Sequence, residues 1–130
     1  MTHSRRLLVA MQGKGVFVID LERQSVACGL NDSIVVAASP GQGENLFAGT
    51  GQGLYKSMNG GKSWQLKGLQ QYKIFSLAFH PSDPATIYAG TEPALLFRSR
   101  DCGETWTELD GVRKLPGRSK WCYPAPPYIA

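Results

Sequence analysis

An internal repeat constrains this chain of 130 residues before any other feature does, because a unit of about 40 residues that recurs must stack on its own copies. The run Asn45-Leu-Phe-Ala-Gly-Thr50, then Gly53-Leu-Tyr-Lys-Ser57, returns as Thr86-Ile-Tyr-Ala-Gly-Thr91, then Leu95-Leu-Phe-Arg-Ser99. The offset is 41 residues from Ala48 to Ala89 and 42 from Ser57 to Ser99, so the second copy carries one extra residue in its hairpin. A weaker copy lies upstream as Leu7-Leu-Val-Ala-Met11, then Gly15-Val-Phe-Val18, about 38 residues before the middle one. Nearly the whole chain is repeat.

Within a unit the pattern is a two-residue alternation or a short β-branched and aromatic run between Gly, Pro, Asn or Asp, which predicts strands. The middle unit predicts strands at 33–39, 44–50, 53–57 and 63–67, and the next at 73–80, 86–91, 95–99 and 105–110. The first unit predicts 5–11, 15–20 and 24–29, with no innermost strand ahead of them. No window carries a helical stripe. The reading is all-β: about three four-stranded antiparallel blades of a β-propeller, the first incomplete. They occupy 1–112 (about 5–29, 33–67 and 73–110), and 113–130 form a basic, Pro-rich loop and tail leading toward a further strand. Such an arc is open and leaves sheet edges and faces uncovered. It needs self-association, for which a dimer completing about six blades is one route, or further blades of a longer chain.

Each full unit ends in a hairpin of special composition, Ser57-Met-Asn-Gly-Gly-Lys-Ser-Trp64 and Ser99-Arg-Asp-Cys-Gly-Glu-Thr-Trp106. Both fit Ser-x-Asp-x-Gly-x-Thr-Trp, with Asn59 for Asp and Ser63 for Thr in the first. This resembles the Asp-box, or bacterial neuraminidase repeat, of sialidase-like and sortilin-like propellers and of photosystem II assembly factors of the Ycf48 type. The residues explain a structural role: Asn59 and Asp101 accept turn-closing hydrogen bonds from backbone N–H groups. Gly61 and Gly103 supply positive φ. Ser57, Ser99, Ser63 and Thr105 bond across the hairpin, and Trp64 and Trp106 offer rings to the space between sheets. In the family this hairpin lies on the rim, away from the axial ligand site.

The resemblance implies a non-enzymatic scaffold or protein- or peptide-binding module, assembly-factor-like or sortilin-like, with a sialidase-like glycoside hydrolase, or a fragment of one, as the alternative. A sialidase would need an arginine cluster, a tyrosine nucleophile with a glutamate partner, and an acid aspartate. Arg5, Arg6, Arg98 and Arg100 match no motif of that kind, and no such Tyr and Glu pairing is recognisable. No catalytic, cofactor or metal residue is therefore expected. Gly61-Lys62-Ser63 imitates a phosphate-binding loop, but the glycine needed upstream is Lys56 and a strand follows where a helix is required. His80, in Phe79-His-Pro-Ser-Asp-Pro84, reads as a turn-capping or solvent-facing residue.

The 14 basic and 10 acidic residues leave a net charge of +4, and much of the excess is local. Arg113, Lys114, Arg118 and Lys120, followed by Trp121, Tyr123 and Tyr128 in the Pro-rich stretch, are the candidate partner-contact residues. A solvated linker is the plainer reading of the basic stretch, and nucleic acid is not the expected partner. The three cysteines, Cys28, Cys102 and Cys122, are odd in number and lack CxxC spacing, which argues against a disulfide framework or a zinc site. The apolar run Leu7 to Met11 is too short for a signal peptide or a membrane span, so the expected location is the cytoplasm.

Overall fold

The computed structural model describes residues 5–11, 14–30, 35–40 and 44–117, with the backbone alone at 35–40. Its eleven strands form three antiparallel sheets in chain order. The first holds β1 (Arg6–Met11), β2 (Gly15–Asp20) and β3 (Ser25–Gly29). The second holds β4 (Val35–Pro40), β5 (Leu46–Thr50), β6 (Gly53–Ser57) and β7 (Gln65–Gly68). The third holds β8 (Lys73–His80), β9 (Asp83–Glu92), β10 (Leu96–Ser99) and β11 (Thr107–Glu108). Among the described residues there is no helix, and so none long and apolar enough to cross a membrane.

Several strand boundaries differ from expectation, β5 beginning at Leu46 and β11 ending at Glu108 among them, and three starts differ for a clear local reason. β7 and β11 begin two residues late, because the N–H groups of Ser63 and Thr105 are committed to Asn59 and Asp101 inside the hairpins. β9 begins three residues early. His80 pairs with Asp83 across a tight turn, and a register shift next to that pair lets the strand carry Pro84. His80 caps this turn, its Nδ1 accepting from the Ser82 N–H at 3.2 Å.

The sheets stack so that β4 lies against β1 on one side and β8 on the other, with β5 also against β8. Leu8, Ala10 and Val16 of the first sheet meet Ala48, Tyr55 and Trp64 of the second. On its opposite face the second sheet presents Phe47 and Leu54 to Ile87, Phe79 and Trp106 of the third. β5 is thus buried on both faces, Phe47 pointing one way and Ala48 the other, as the two-residue period of a strand demands. Leu69, in the loop after β7, joins Ile74, Ala89 and Phe97 in a further cluster at the second joint. Leu30 fills the matching place at the first, and both leucines adopt positive φ directly after a glycine.

Candidate functional site

The two Trp-terminated hairpins are closed by the same bonds. Ser57 Oγ accepts the Gly61 N–H at 2.8 Å and donates to Asn59 Oδ1 at 2.9 Å, and Asn59 Oδ1 accepts the Ser63 N–H at 2.9 Å. Ser99 Oγ accepts the Gly103 N–H at 2.8 Å and donates to Asp101 Oδ1 at 2.8 Å, which accepts the Thr105 N–H at 2.9 Å. The last bond changes direction. Asn59 Nδ2 donates to Ser63 Oγ, whereas Asp101 Oδ2 accepts from Thr105 Oγ1, because an amide nitrogen only donates, a carboxylate only accepts and a hydroxyl does both. The hydroxyl and N–H of Thr105, aided by Ser99, push the Asp101 carboxyl down to about 2.

Gly61 and Gly103 sit at φ 95° and 85°, a region where a Cβ is strained. Each follows another left-handed residue, Gly60 at 72° and Cys102 at 61°. These preceding residues anchor the hairpin to the chain just before or at the start of the second strand of their own sheet, Gly60 N–H to Glu44 O and Cys102 N–H to Ala85 O, both at 3.0 Å. The first unit has no such hairpin yet keeps the anchor, Leu21 N–H to Arg5 O at 2.9 Å.

The tryptophans are both half-buried, but their environments differ. Trp106 packs into both clusters of the second joint and donates from Nε1 to Gly103 O at 3.1 Å. Trp64 lies against Gly29, where a Cβ would clash with its Nε1. That nitrogen is buried with no hydrogen-bond partner among the described residues.

The second hairpin also carries charge across its joint. Glu104 receives Lys67 Nζ at 2.9 Å and Lys56 Nζ at 3.1 Å, both from the preceding sheet. Lys56 is only 5% exposed, with its ammonium 5.6 Å from the Phe47 ring centroid. Lys67 reaches Glu104 from a bulge, since Leu54 pairs with Gly68 but Tyr55 with Leu66, leaving Lys67 as the extra residue. These ammonium groups, Lys67 foremost, hold the Glu104 carboxyl below the usual carboxylate range. In the first hairpin the place of Glu104 is taken by Lys62, and in the first sheet Val18 stands where Lys56 would.

With no acid to meet, Lys62 instead lines a cleft of about 410 Å³ between the first sheet and the first hairpin, together with Arg6, Asp20, Arg23, Glu44 and Asn59. Arg6 grips Glu44 through two nitrogens at 2.8 and 3.2 Å and holds its carboxyl below the usual range. Asp20 closes its own turn, accepting the N–H groups of Glu22 and Arg23 at 3.0 and 3.1 Å. Arg23 Nε lies 4.0 Å from the other Asp20 oxygen, and Lys62 has no ion-pair partner among the described residues. Two cations with spare donors thus flank a fixed Arg6–Glu44 pair. This arrangement suits a bound carboxylate or phosphate oxygen. It offers no proton donor at neutral pH, since Glu44 is ionised.

Of the residues considered for partner contact, Arg113 is held by Glu108 at 2.9 and 3.0 Å and Lys114 lies 3.5 Å from Asp110. Arg118, Lys120, Trp121, Tyr123 and Tyr128 lie outside the described residues, as does Cys122. Cys28 and Cys102 are free thiols.

Several solved structures share this architecture, and two of them illustrate the likeness to this chain. One is an ancestral GH74 enzyme, matched with a TM-score of 0.71 at 24% identity over 82% of this chain and 16% of that one. The other is YCF48 bound to D1 peptide, with a TM-score of 0.64 at 14% identity over 82% of this chain and 38% of that one. The fold is that of β-propeller blades. The chain therefore spans well under half the length of either propeller it matches. Neither a protein-family model nor a curated protein sequence matches it.

Sequence reasoning singled out the hairpin residues but missed the cleft and the Glu104 clamp. Two signals were available. Gly29-Leu30 and Gly68-Leu69 repeat at a unit's spacing, and the residue after the hairpin glycine switches from Lys62 to Glu104. Neither says which sheet the residue will face.

Proposed function

We propose that this chain is part of a non-enzymatic β-propeller scaffold that binds a protein or peptide, in the manner of an assembly factor or a sortilin-like receptor. The observation that carries the reading is the distribution of spare polar groups. The Ser, Asn and Asp groups of both hairpins are consumed in holding the turns, while Lys62 and Arg23, the latter only 4.0 Å from Asp20 through Nε, line the cleft with donors to spare. The likeness to YCF48 bound to D1 peptide supports a peptide as the ligand class. A ligand side chain or terminus bearing a carboxylate fits the two cations, and the fixed Arg6–Glu44 pair supplies both a donor and an acceptor beside it. The basic stretch adds less, because Arg113 and Lys114 already have acids of their own.

In this reading the boundaries drawn from sequence stand as proposals: blades within 1–112 and a contact-bearing tail at 113–130. The ring is completed by a second copy, giving about six blades, or by further blades. Partial coverage of the two longer propellers is compatible with either.

The test is fluorescence anisotropy on acidic and neutral labelled peptides, with and without a free C-terminal carboxylate. Saturable binding of carboxylate-bearing peptides that weakens about tenfold in Lys62→Ala supports the reading. Equal binding of neutral peptides, or none at all, defeats it.

The alternative class is a glycoside hydrolase, favoured by the likeness to an ancestral GH74 enzyme. It needs one carboxyl that is protonated at working pH. Glu44 does not serve, being held ionised by Arg6, so the acid would have to be another carboxyl. Turnover of a panel of fluorogenic glycosides, a sialoside included, decides for it.

A further inference from the structure

The two joints inside the chain join opposite kinds of sheet face. At the first, Leu8, Ala10 and Val16 meet Ala48 and Tyr55; at the second, Phe47 and Leu54 meet Ile87. By the repeat, Tyr88, Leu96 and Arg98 of the third sheet stand where Phe47, Leu54 and Lys56 stand in the second. They lie on the face turned away from the second sheet, because their neighbours Ile87 and Phe97 face it.

Among the described residues, nothing covers the complementary face of the first sheet. Leu7 pairs with Ile19 and Ile19 with Val26, while Val9 pairs with Phe17, so these five apolar residues share one surface opposite Leu8 and Val16. Leu7 is 49% and Val26 63% exposed. A contiguous apolar face of this kind marks an interaction surface. The other edge of β1 also has no partner strand among the described residues.

Charge points to what covers it. Lys56 crosses the second joint to Glu104. Arg98, at the equivalent place on the third sheet, is half-buried and has no hydrogen bond or ion pair among the described residues. A half-shielded guanidinium calls for an acid. The first sheet has one where the second and third carry their hairpins: Glu22, in the turn between β2 and β3, exposed and with its carboxylate unpaired among the described residues.

We propose that the uncovered face of the first sheet is a docking surface for a second copy of this chain, which covers it with the outer face of its third sheet and sets Arg98 against Glu22. The contact is head-to-tail and repeats, between molecules, the joint the chain already makes twice internally. Repetition of one such contact closes a ring or runs on as a filament. The inference rests on the ring-completion part of the proposed function and is independent of peptide binding.

The experiment is sedimentation velocity on the full chain up to about 200 µM, with Arg98→Glu, Glu22→Arg and the double exchange, all checked for native circular dichroism. The wild-type chain is expected to associate. Each single charge reversal should weaken association about tenfold, and the double exchange should restore most of it. Val26→Asp should abolish it. A monomeric wild type overturns the proposal. Association unaffected by either charge reversal also overturns it, while leaving ring completion by another surface intact; so does a double exchange that fails to recover.

Discussion

The two joints use one backbone plan and fill it with different chemistry. The second buries Phe47, Leu54, Ile74, Ile87 and Phe97, sets Phe47 edge-on to Phe79 with centroids 5.6 Å apart, and ties the sheets with Glu104. Among the described residues the first buries only Val16 and Ala48 fully, leaves an indole N–H without a partner, and has Val18 and Lys62 where that ion pair would be, its own tie being the more exposed Arg6–Glu44 pair. The propeller plan therefore fixes where a joint must be and leaves its strength to the side chains. The joint with fewer buried residues among those described is also the one that opens into a polar cleft. Groups not used to hold sheets together remain free to hold a ligand.

The largest expected effect is at the heart of the second joint. Phe47→Ala should cost about 3–5 kcal/mol in denaturant unfolding, since the ring is 1% exposed, whereas Leu8→Ala at the first joint should cost less than half as much. Similar losses would break the comparison. Next is Glu104→Ala, which strands the buried Lys56 ammonium. A loss of about 2 kcal/mol is expected, discounted because Glu104 itself is partly exposed, and Lys62→Ala should be near neutral in the same assay.

A smaller contrast separates the tryptophans. Trp106→Phe removes a hydrogen bond to Gly103 O and should lose about 1 kcal/mol more than Trp64→Phe, whose indole N–H has no partner among the described residues. Full truncation, Trp106→Ala, should cost about 3 kcal/mol, at the low end for tryptophan because the ring is half-buried.

The smallest effect concerns pH. The Asp101 carboxyl is depressed to about 2 in the folded chain, against about 3.9 unfolded. Its contribution is therefore present above about pH 4 and lost as pH falls toward about 2. Asp101→Asn should keep the turn, as Asn59 does in the other hairpin, and flatten that part of an acid unfolding curve. Asn59→Asp should steepen it. An unchanged acid limb in Asp101→Asn would show that this carboxylate is not what the hairpin relies on.

How much was legible in advance follows from the range of each interaction. β2, β6 and β8 fall where the alternation and the glycines place them, because a strand's period and a turn's φ are local properties. The late starts of β7 and β11 were not legible as boundaries, although the side chains responsible, Asn59 and Asp101, stand out in the sequence. Cys102 at φ 61° had no local sign at all. Only its alignment with Gly60 hints that the position is left-handed.

By itself, the amino-acid order determined the repeat, the four-stranded units and the tryptophan-ended hairpins, since all of these are written within a few dozen neighbouring residues. Tertiary structure alone decided that Lys56 is buried, that a bulge swings Lys67 onto Glu104, that the indole N–H of Trp106 finds a partner among the described residues while that of Trp64 finds none, and that Lys62 faces a cleft. Those outcomes depend on which faces of separate sheets come to oppose each other. That is a property of packing between units, and it has no signature inside any one of them.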